Sequence, residues 1–271
     1  MVTDSNPFFF TNKKKRWTAS ERSLNSLLFS SAPTPREIMG QSVSRKTLQF
    51  HEDAAAGRDQ SVAVFLCDEA IDSNRTVGPD ARTVLHKAAR AGHYEVCDVL
   101  LTFKGVPPLD VNQRDANGST ALHAAASEGR LRIVKRLCGD ERIDAAITDR
   151  YGETALHDAA ARKGRGEIIA ALLAAVDASE PHNSNGTDVN ARSVVGATPL
   201  HKAMSAGLEE NVQALLKAPG IDVNARDGEG DTALHEVGET FASKSRKHSA
   251  VHSISPHGSL CPLFVDALSP R

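Results

Sequence analysis

Five histidines recur along the chain at steps of 37, 34, 44 and 34 residues, and imidazole is both a common metal ligand and a proton carrier. They are His86, His123, His157, His201 and His235. If the recurring segments stack, their rings would form a row. A metal site needs converging ligands and groups that orient them, but no carboxylate or thiol recurs beside these histidines. The pattern therefore favours a structural role for the imidazoles over metal binding.

Other residue types that could carry chemistry are not arranged to do so. The four cysteines are Cys67, Cys97, Cys138 and Cys261, and no two of them form a Cys-x-x-Cys pair. This spacing argues against a zinc site or a disulfide framework and favours a reducing compartment. The sequence contains no Gly-x-Ser-x-Gly elbow, phosphate-binding glycine loop or His-Glu-x-x-His motif. We therefore expect no catalytic residue, no cofactor and no bound metal, and predict that the chain is not an enzyme.

Composition limits the classes of core and of partner. Hydrophobic residues make up 40% of the 271 positions and aromatic residues only 4%, so a core must be built from aliphatic side chains, which suits close-packed helices. The formal net charge of -2 gives no strong attraction to nucleic acid. Residues 1–46 carry eight Lys or Arg and three acids, a charge of +5, which leaves -2 - 5 = -7 for the remainder. No apolar run approaches the roughly 20 residues of a membrane span.

Each recurring histidine belongs to a longer pattern that predicts a helix. A threonine stands three residues before it, as in Thr198-Pro199-Leu200-His201, and a threonine side chain can cap the free amides at a helix start. Pro199 fits there because the first helical turn has no amide hydrogen bond to lose. In four copies a glycine follows six residues after the histidine, where it can end the helix in a left-handed conformation. These glycines are Gly57, Gly92, Gly129 and Gly207.

A second helix and a loop complete each unit. Apolar residues such as Val96 and Leu100 fall at helical spacing after the glycine. An Asp-Val-Asn string then begins at Asp110, Asp188 and Asp222, and its residue types, with the Asp-x-x-Gly that can follow, are typical of turns. One unit is therefore helix, turn, helix and protruding hairpin loop. Since a single unit cannot bury its own apolar face, the units must stack.

The strings resemble ankyrin repeats, whose Thr-Pro-Leu-His-x-Ala signature recurs at a period of about 33 residues. Residues 198–203 match that signature at every specified position, and Thr47-Leu48-Gln49-Phe50-His51 is a weaker first copy with one extra residue. The resemblance covers roughly residues 47–237. It implies an all-α ankyrin-repeat solenoid of helix-turn-helix units with β-hairpin loops, about five repeats plus a degenerate N-terminal repeat. The polar segment 177–187 is predicted to be an inserted loop that accounts for the 44-residue step.

The resemblance also implies a function. In this family the histidine hydrogen-bonds the backbone between neighbouring repeats, and a protein partner docks on the concave surface made by hairpin loops and first helices. A non-catalytic scaffold or adaptor is therefore expected, with Tyr151 and the arginines as the strongest anchors because these residue types are enriched at interface hot spots. The matching positions are Lys87, Arg90, Gln113, Asn117, Glu128, Arg150, Tyr151, Asp158, Arg192, Lys202 and Arg226.

The flanking segments carry targeting signals of lower specificity. Residues 1–46 are basic, rich in serine and expected to be disordered, and the run 13–16 (Lys-Lys-Lys-Arg) resembles a nuclear import signal. The string from Met39 to Ser44 fits the N-myristoylation pattern, so Gly40 would be acylated if translation started at Met39. One acyl chain with a few basic residues gives weak, reversible membrane binding. A cytoplasmic location is expected, with nuclear and membrane-peripheral locations as alternatives.

Two alternative functions remain open from the sequence. Some ubiquitin ligases resemble this layout, with a Met-Gly start, an ankyrin array and then a RING zinc domain, so the chain could be the substrate-recognition part of a truncated ligase. It could also be a myristoylated adaptor at the membrane surface. After His235 the repeat pattern stops, and the tail 238–271, expected to have little order, ends in an apolar cluster at 260–268. Either that cluster caps the array or the array is truncated.

Overall fold

The computed structural model describes residues 44–68, 70–105, 107–177 and 187–236, and within these ranges ten helices of six or more residues fall into five consecutive pairs. A single helical turn at 233–236 follows the fifth pair. The helices are α1 (Arg45–Ala55), α2 (Asp59–Leu66), α3 (Val84–Ala91), α4 (Tyr94–Thr102), α5 (Ala121–Glu128), α6 (Leu131–Cys138), α7 (Ala155–Ala160), α8 (Gly166–Asp177), α9 (Pro199–Ser205) and α10 (Glu209–Leu216). The predicted all-α repeat architecture is confirmed, and the weak first copy forms a full helix pair.

The first helices of four pairs begin with a reciprocal cap between a threonine and a histidine. The Thr83 N–H donates to His86 Nδ1 over 3.3 Å, and Thr83 Oγ1 lies 2.7 Å from the same nitrogen. Three further pairs repeat this contact with N–H to Nδ1 distances of 3.1 to 3.3 Å, namely Thr120–His123, Thr154–His157 and Thr198–His201. Such caps satisfy amides that have no partner within the helix, so the predicted role of the threonine is confirmed.

The first repeat uses a different cap from the other copies. Helix α1 begins one turn earlier, and its N-cap is Ser44, whose hydroxyl accepts from the Thr47 N–H over 3.1 Å. His51 still lies six residues before Gly57, but it now lies within the helix instead of beside a capping threonine. The extra residue between Thr47 and His51 was the signal in the sequence that this copy does not share the standard cap.

The core lies between successive pairs. Helix α3 packs on α1 and α5, and α7 packs on α5 and α9, while the second helices form a parallel row in which α6 packs on α8 and α8 on α10. Alanines such as Ala88 and Ala125 are fully buried between first helices, and their small side chains permit this close approach. The second helices supply larger side chains, for example Leu100, Leu137 and Leu172, each fully buried and worth roughly 1.5–3 kcal/mol of transfer free energy.

The connecting loops are tight turns joined to one another by backbone hydrogen bonds. Asp115, Asp149 and Asp227 each accept two loop amides on one carboxylate oxygen. Each loop tip is linked to the preceding one by a backbone hydrogen bond of 2.8 to 2.9 Å. The N–H to C=O bonds are Ala116 to Asp80, Arg150 to Asn117, Val194 to Tyr151 and Gly228 to Val195. In the described ranges the expected hairpins contain only isolated β-bridges, Val77 to Arg82 and Arg226 to Thr232. The loop tips are therefore held in a fixed register.

We expect Gly152→Ala to destabilise the protein more than Gly164→Ala does. Both glycines have φ of +71°, so both alanines cost about 1–2 kcal/mol of left-handed strain, but only the Cβ at 152 would lie 2.9 Å from the Val194 amide nitrogen. A Cβ at 164 meets no described atom within 4 Å. The clash should add roughly 1–2 kcal/mol, measured as a lower urea midpoint. Equal losses for the two variants would show that the tip contact is not tight.

Candidate protein-binding face

A groove of about 690 Å³ lies between the loop 77–82 and the first helices of the second and third pairs. Its charged lining consists of the side chains of Asp80, Arg82, Lys87, Arg90, Glu128 and Arg130, and we call it the basic groove. Three of these residues, Lys87, Arg90 and Glu128, belong to the positions predicted to bind a partner. The groove shows that loop residues and first-helix residues line one continuous surface, as the prediction of a shared face requires.

Three exposed apolar side chains lie together on the tips of the third and fourth described inter-pair loops. Tyr151 is 53% exposed, Val194 54% and Val195 64%, and the Val194 N–H donates to the Tyr151 carbonyl over 2.8 Å. We call these three residues the tip patch. The equivalent positions of the preceding loop are Ala116 and Asn117, so the patch is local to this part of the array. An exposed apolar cluster beside polar groups is typical of an interaction site.

Arg150 holds Tyr151 in place. Its guanidinium carbon lies 4.8 Å from the centre of the tyrosine ring, a cation–π contact, and its terminal nitrogen donates to the tyrosine hydroxyl over 2.7 Å. The Arg150 amide is bonded to the Asn117 carbonyl of the preceding tip. These contacts favour one orientation of the predicted anchor, which reduces the conformational entropy that it loses on binding.

Asp158, on α7, is a carboxylate with unusual electrostatics. Burial raises the pKa of Asp158 to about 7, and the neighbouring charges of Asp149 and Glu153 raise it further, while Arg162 and Lys202 oppose the shift. The Lys202 ammonium forms its ion pair with Glu153. At neutral pH the Asp158 carboxyl is therefore partly protonated, and it can either donate a hydrogen bond or attract a cation from a partner.

Most of the other predicted positions are engaged in hydrogen bonds within the protein. The Arg192 guanidinium donates to the carbonyls of Gly196 and Arg226, and Arg226 donates to the Gly230 carbonyl over 2.7 Å. The Asn117 amide donates to Asp115. Gln113 Oε1 is buried and has no hydrogen-bond partner in the part of the chain that is described. Arg192 thus links two loops and Arg226 braces its own loop, although the sequence suggested only partner contacts for them.

The recurring histidines are engaged at both ring nitrogens. Besides the bond at Nδ1, Nε2 faces a carbonyl of the next repeat in four cases, at 3.0 to 3.1 Å: His86 to Ser119, His123 to Glu153, His157 to Ala197 and His201 to Asp231. Since Nδ1 accepts a backbone N–H, Nε2 carries the proton and donates. Burial lowers the pKa of His86, His123 and His157, so these rings are neutral. The inter-repeat role implied by the family resemblance is confirmed.

The buried thiols are not poised for reaction. Burial raises the pKa of Cys97 to about 12 and that of Cys138 to about 11, so both remain protonated at neutral pH, whereas the thiolate is the nucleophile and metal ligand. Across the described ranges no group of three or more His, Cys, Asp or Glu side chains could hold a metal ion. No helix there is long and apolar enough to cross a membrane. Gly40 lies outside the described residues, and its acylation stays a prediction.

Seven of the eleven predicted residues fall into two groups, and four residues that were not predicted lie with them. Lys87, Arg90 and Glu128 line the basic groove, and Arg150, Tyr151, Asp158 and Lys202 lie around the third loop. The missed residues are Arg82, Arg130, Val194 and Val195. The sequence did contain a signal for the two valines. They occupy the two positions before the glycine of their loop tip, and in the other loops of this form at least one of these two positions is not apolar.

Comparison with known proteins places the similarity in the array. A family model described as ankyrin repeats, three copies, matches residues 50–149, 107–180 and 127–227. Neurogenic locus notch homolog protein 1 of Xenopus tropicalis is 31% identical over 199 residues, 68% of this chain and 8% of that protein. Rabankyrin-5 of Mus musculus is 29% identical over 196 residues, 59% of this chain and 16% of that protein.

A third relative is named as an enzyme. A probable serine/threonine-protein kinase of Dictyostelium discoideum is 30% identical over 126 residues, 45% of this chain and 14% of that protein. The chain therefore spans less than a fifth of the length of each of these three relatives. What the three have in common with this chain is a segment of repeats, and the activities of the whole proteins do not follow from it.

Proposed function

Because this chain belongs to the ankyrin-repeat family, we propose that it acts as a non-catalytic scaffold or adaptor that binds a protein partner on the face formed by its loop tips and first helices. Ankyrin repeats are generally protein–protein interaction modules. The proposal goes further in assigning the face, and the tip patch is the observation that carries it. Its three apolar side chains would be more stable away from water, but they are exposed on loop tips that backbone hydrogen bonds hold in place.

The surroundings of the tip patch support the assignment. Tyrosine, arginine and aliphatic side chains at the centre with charged groups at the edge resemble the anatomy of a protein interface, and here Arg150 packs on Tyr151. The loop series is already ordered, so docking requires little rearrangement. A preformed apolar centre of this kind contributes to affinity mainly by excluding water around one or two anchors.

We expect Tyr151→Ala to weaken partner binding by about tenfold or more, since truncating an interface anchor typically costs over 1 kcal/mol. The tagged full-length chain would first be used to isolate and identify partners, and the affinity of one purified partner would then be measured by calorimetry. Val64→Ala is the matched control, because Val64 is 73% exposed on α2, away from the face. Unchanged affinity for Tyr151→Ala, or an equal loss with Val64→Ala, would exclude the tip patch as the site.

A further inference from the structure

The basic groove has an excess of positive charge that the chain as a whole does not share. Four cations line it, Arg82, Lys87, Arg90 and Arg130, against two carboxylates, Asp80 and Glu128, which gives 4 - 2 = +2, whereas the net charge of the chain is -2. Low-dielectric walls concentrate such a field and attract ligands of the opposite sign. The side chains that line the groove therefore favour anions, independently of the tip patch, although Asp115, which pairs with Arg82, and Glu52, whose charge acts on Lys87, offset part of this excess.

Most of these cations already have a counter-ion or a hydrogen-bond acceptor. Arg82 pairs with Asp80 over 3.0 Å and with Asp115 over 3.6 Å, and Arg90 lies 3.4 Å from Glu128. Arg130 donates through Nε to the Arg90 carbonyl over 3.2 Å. These contacts fix the walls of the groove and leave part of each guanidinium available for further hydrogen bonds.

Lys87 is the exception. It is half-buried on α3, and the described residues offer its ammonium no hydrogen bond or ion pair. Burial lowers the pKa of Lys87, and Arg82 lowers it further, while Glu52 opposes the shift. An ammonium that is partly desolvated and makes no hydrogen bond or ion pair can bind an incoming anion at a smaller additional desolvation cost.

The backbone also shapes this groove. Gly92 ends α3 with φ of +96°, and a Cβ there would lie 2.8 Å from Arg130 Nε. The glycine therefore leaves the space through which the Arg130 side chain reaches the end of α3. Residues from three elements, the loop 77–82, α3 and the start of α6, are thus positioned before any ligand arrives, which reduces the entropy cost of binding.

We propose that the basic groove binds an acidic peptide segment of the partner protein, with an Asp or Glu carboxylate of that segment paired to Lys87. This inference rests on the proposed function and specifies the partner's chemistry at a second part of the same face. Carboxylates spaced along a peptide suit the groove better than a phosphate group does. Asp80 and Glu128 also line the groove and disfavour the concentrated charge of a compact dianion, whereas a peptide can place its amides next to them.

The test uses the full-length chain and a fluorescein-labelled peptide in which glutamates alternate with glycine and alanine. Fluorescence anisotropy at low salt should detect binding that weakens as salt rises, as expected for ion pairing, and a glutamine version of the peptide should bind at least about tenfold more weakly. Lys87→Gln should reduce the affinity for the glutamate peptide by about tenfold, and Lys87→Arg should retain most of it. Lys135→Gln removes the same charge from the exposed side of α6 and should have no effect.

Each contrary result has a definite meaning. Equal affinity for the glutamate and glutamine peptides, or equal losses from Lys87→Gln and Lys135→Gln, would overturn the proposal. A phosphoserine version that binds more tightly than the glutamate peptide would assign the groove to phosphate and overturn the choice of carboxylate. If the purified partner binds Lys87→Gln normally but fails to bind Tyr151→Ala, this inference fails and the proposed function stands. Circular dichroism of each variant confirms that it is folded.

Discussion

Asn211→Ala is expected to lower the free energy of unfolding by about 3 kcal/mol, although no feature of the sequence singles this residue out. Asn211 lies on α10 and is fully buried. Its side-chain nitrogen donates to the carbonyls of Ala159, Ala160 and Arg162 over 2.6 to 3.2 Å. Its side-chain oxygen accepts from the Arg165 N–H over 3.2 Å. Alanine would remove all four hydrogen bonds. The Ala159 carbonyl would still accept from the Arg162 N–H, but each buried group left without a partner costs about 1–3 kcal/mol.

The need for Asn211 arises from the way α7 ends. In the second, third and fourth pairs, the side chain just before the second helix hydrogen-bonds a backbone carbonyl at the end of the first helix of the preceding pair. These bonds are His93 to Ala55, Arg130 to Arg90 and Arg165 to Ser127. In the fifth pair this position is Leu208, which has no donor in its side chain. Asn211, three residues later, bonds the end of α7 instead.

Chemical denaturation of the two proteins would measure this effect. Asn224→Ala is the matched control, because Asn224 is exposed and its side chain has no hydrogen-bond partner in the described ranges, so its loss should be below about 0.5 kcal/mol. If Asn211→Ala were no more destabilising than Asn224→Ala, water or another donor would have to replace the amide at the end of α7.

His157→Ala should be nearly as destabilising, by about 2–4 kcal/mol, because it removes a fully buried ring and two hydrogen bonds at once. The ring accepts the Thr154 N–H at Nδ1 over 3.1 Å and donates through Nε2 to the Ala197 carbonyl over 3.1 Å. The second bond joins residues 40 positions apart, across the segment that separates the fourth repeat from the fifth. The loss should therefore also weaken the coupling between these two repeats.

The matched control is His235→Ala. His235 makes the same cap, with the Thr232 N–H at 3.3 Å from Nδ1, but His235 is exposed and Thr232 is only partly buried. We expect a loss of about 1 kcal/mol or less, the usual effect of removing a cap. Similar losses for the two variants would mean that the cap, and not the bond between repeats, is the main contribution of these histidines.

The histidines also predict how stability depends on pH. Burial holds the pKa of His86, His123 and His157 below the ordinary 6.5, so the unfolded chain takes up these protons first as pH falls. Their contribution is complete above pH 6.5 and is lost progressively below it. His51 acts in the same direction, because burial and the charge of Lys87 lower its pKa to about 4 while the nearby Arg75 backbone opposes the shift. His157→Ala should therefore show a shallower decline in unfolding free energy between pH 6.5 and 5.

The parts of the fold that the sequence predicted correctly are local ones. A threonine cap three residues before a histidine, and a glycine that ends the helix, depend on contacts within about ten residues, so spacing alone identifies them. The first repeat shows where prediction from spacing ends. It has one more residue between its threonine and His51 than the other copies have, and its helix is capped by Ser44. The Asp-Val-Asn strings were recognised as turns, but Asn112 also bonds the Arg142 carbonyl and the Asp144 amide of the next loop, which spacing could not reveal.

Taken alone, the sequence determined the order of helices, turns and repeats in this protein, because the same short-range pattern is written several times along the chain. Only the tertiary structure decided that Asn211 completes α7, that Arg192 links loops, and that Lys87 lacks a counter-ion inside a basic groove. Those properties depend on residues about 30 to 50 positions apart. Their meeting is set by how one repeat lies against the next, and side chains at such separations leave no periodic trace in the sequence.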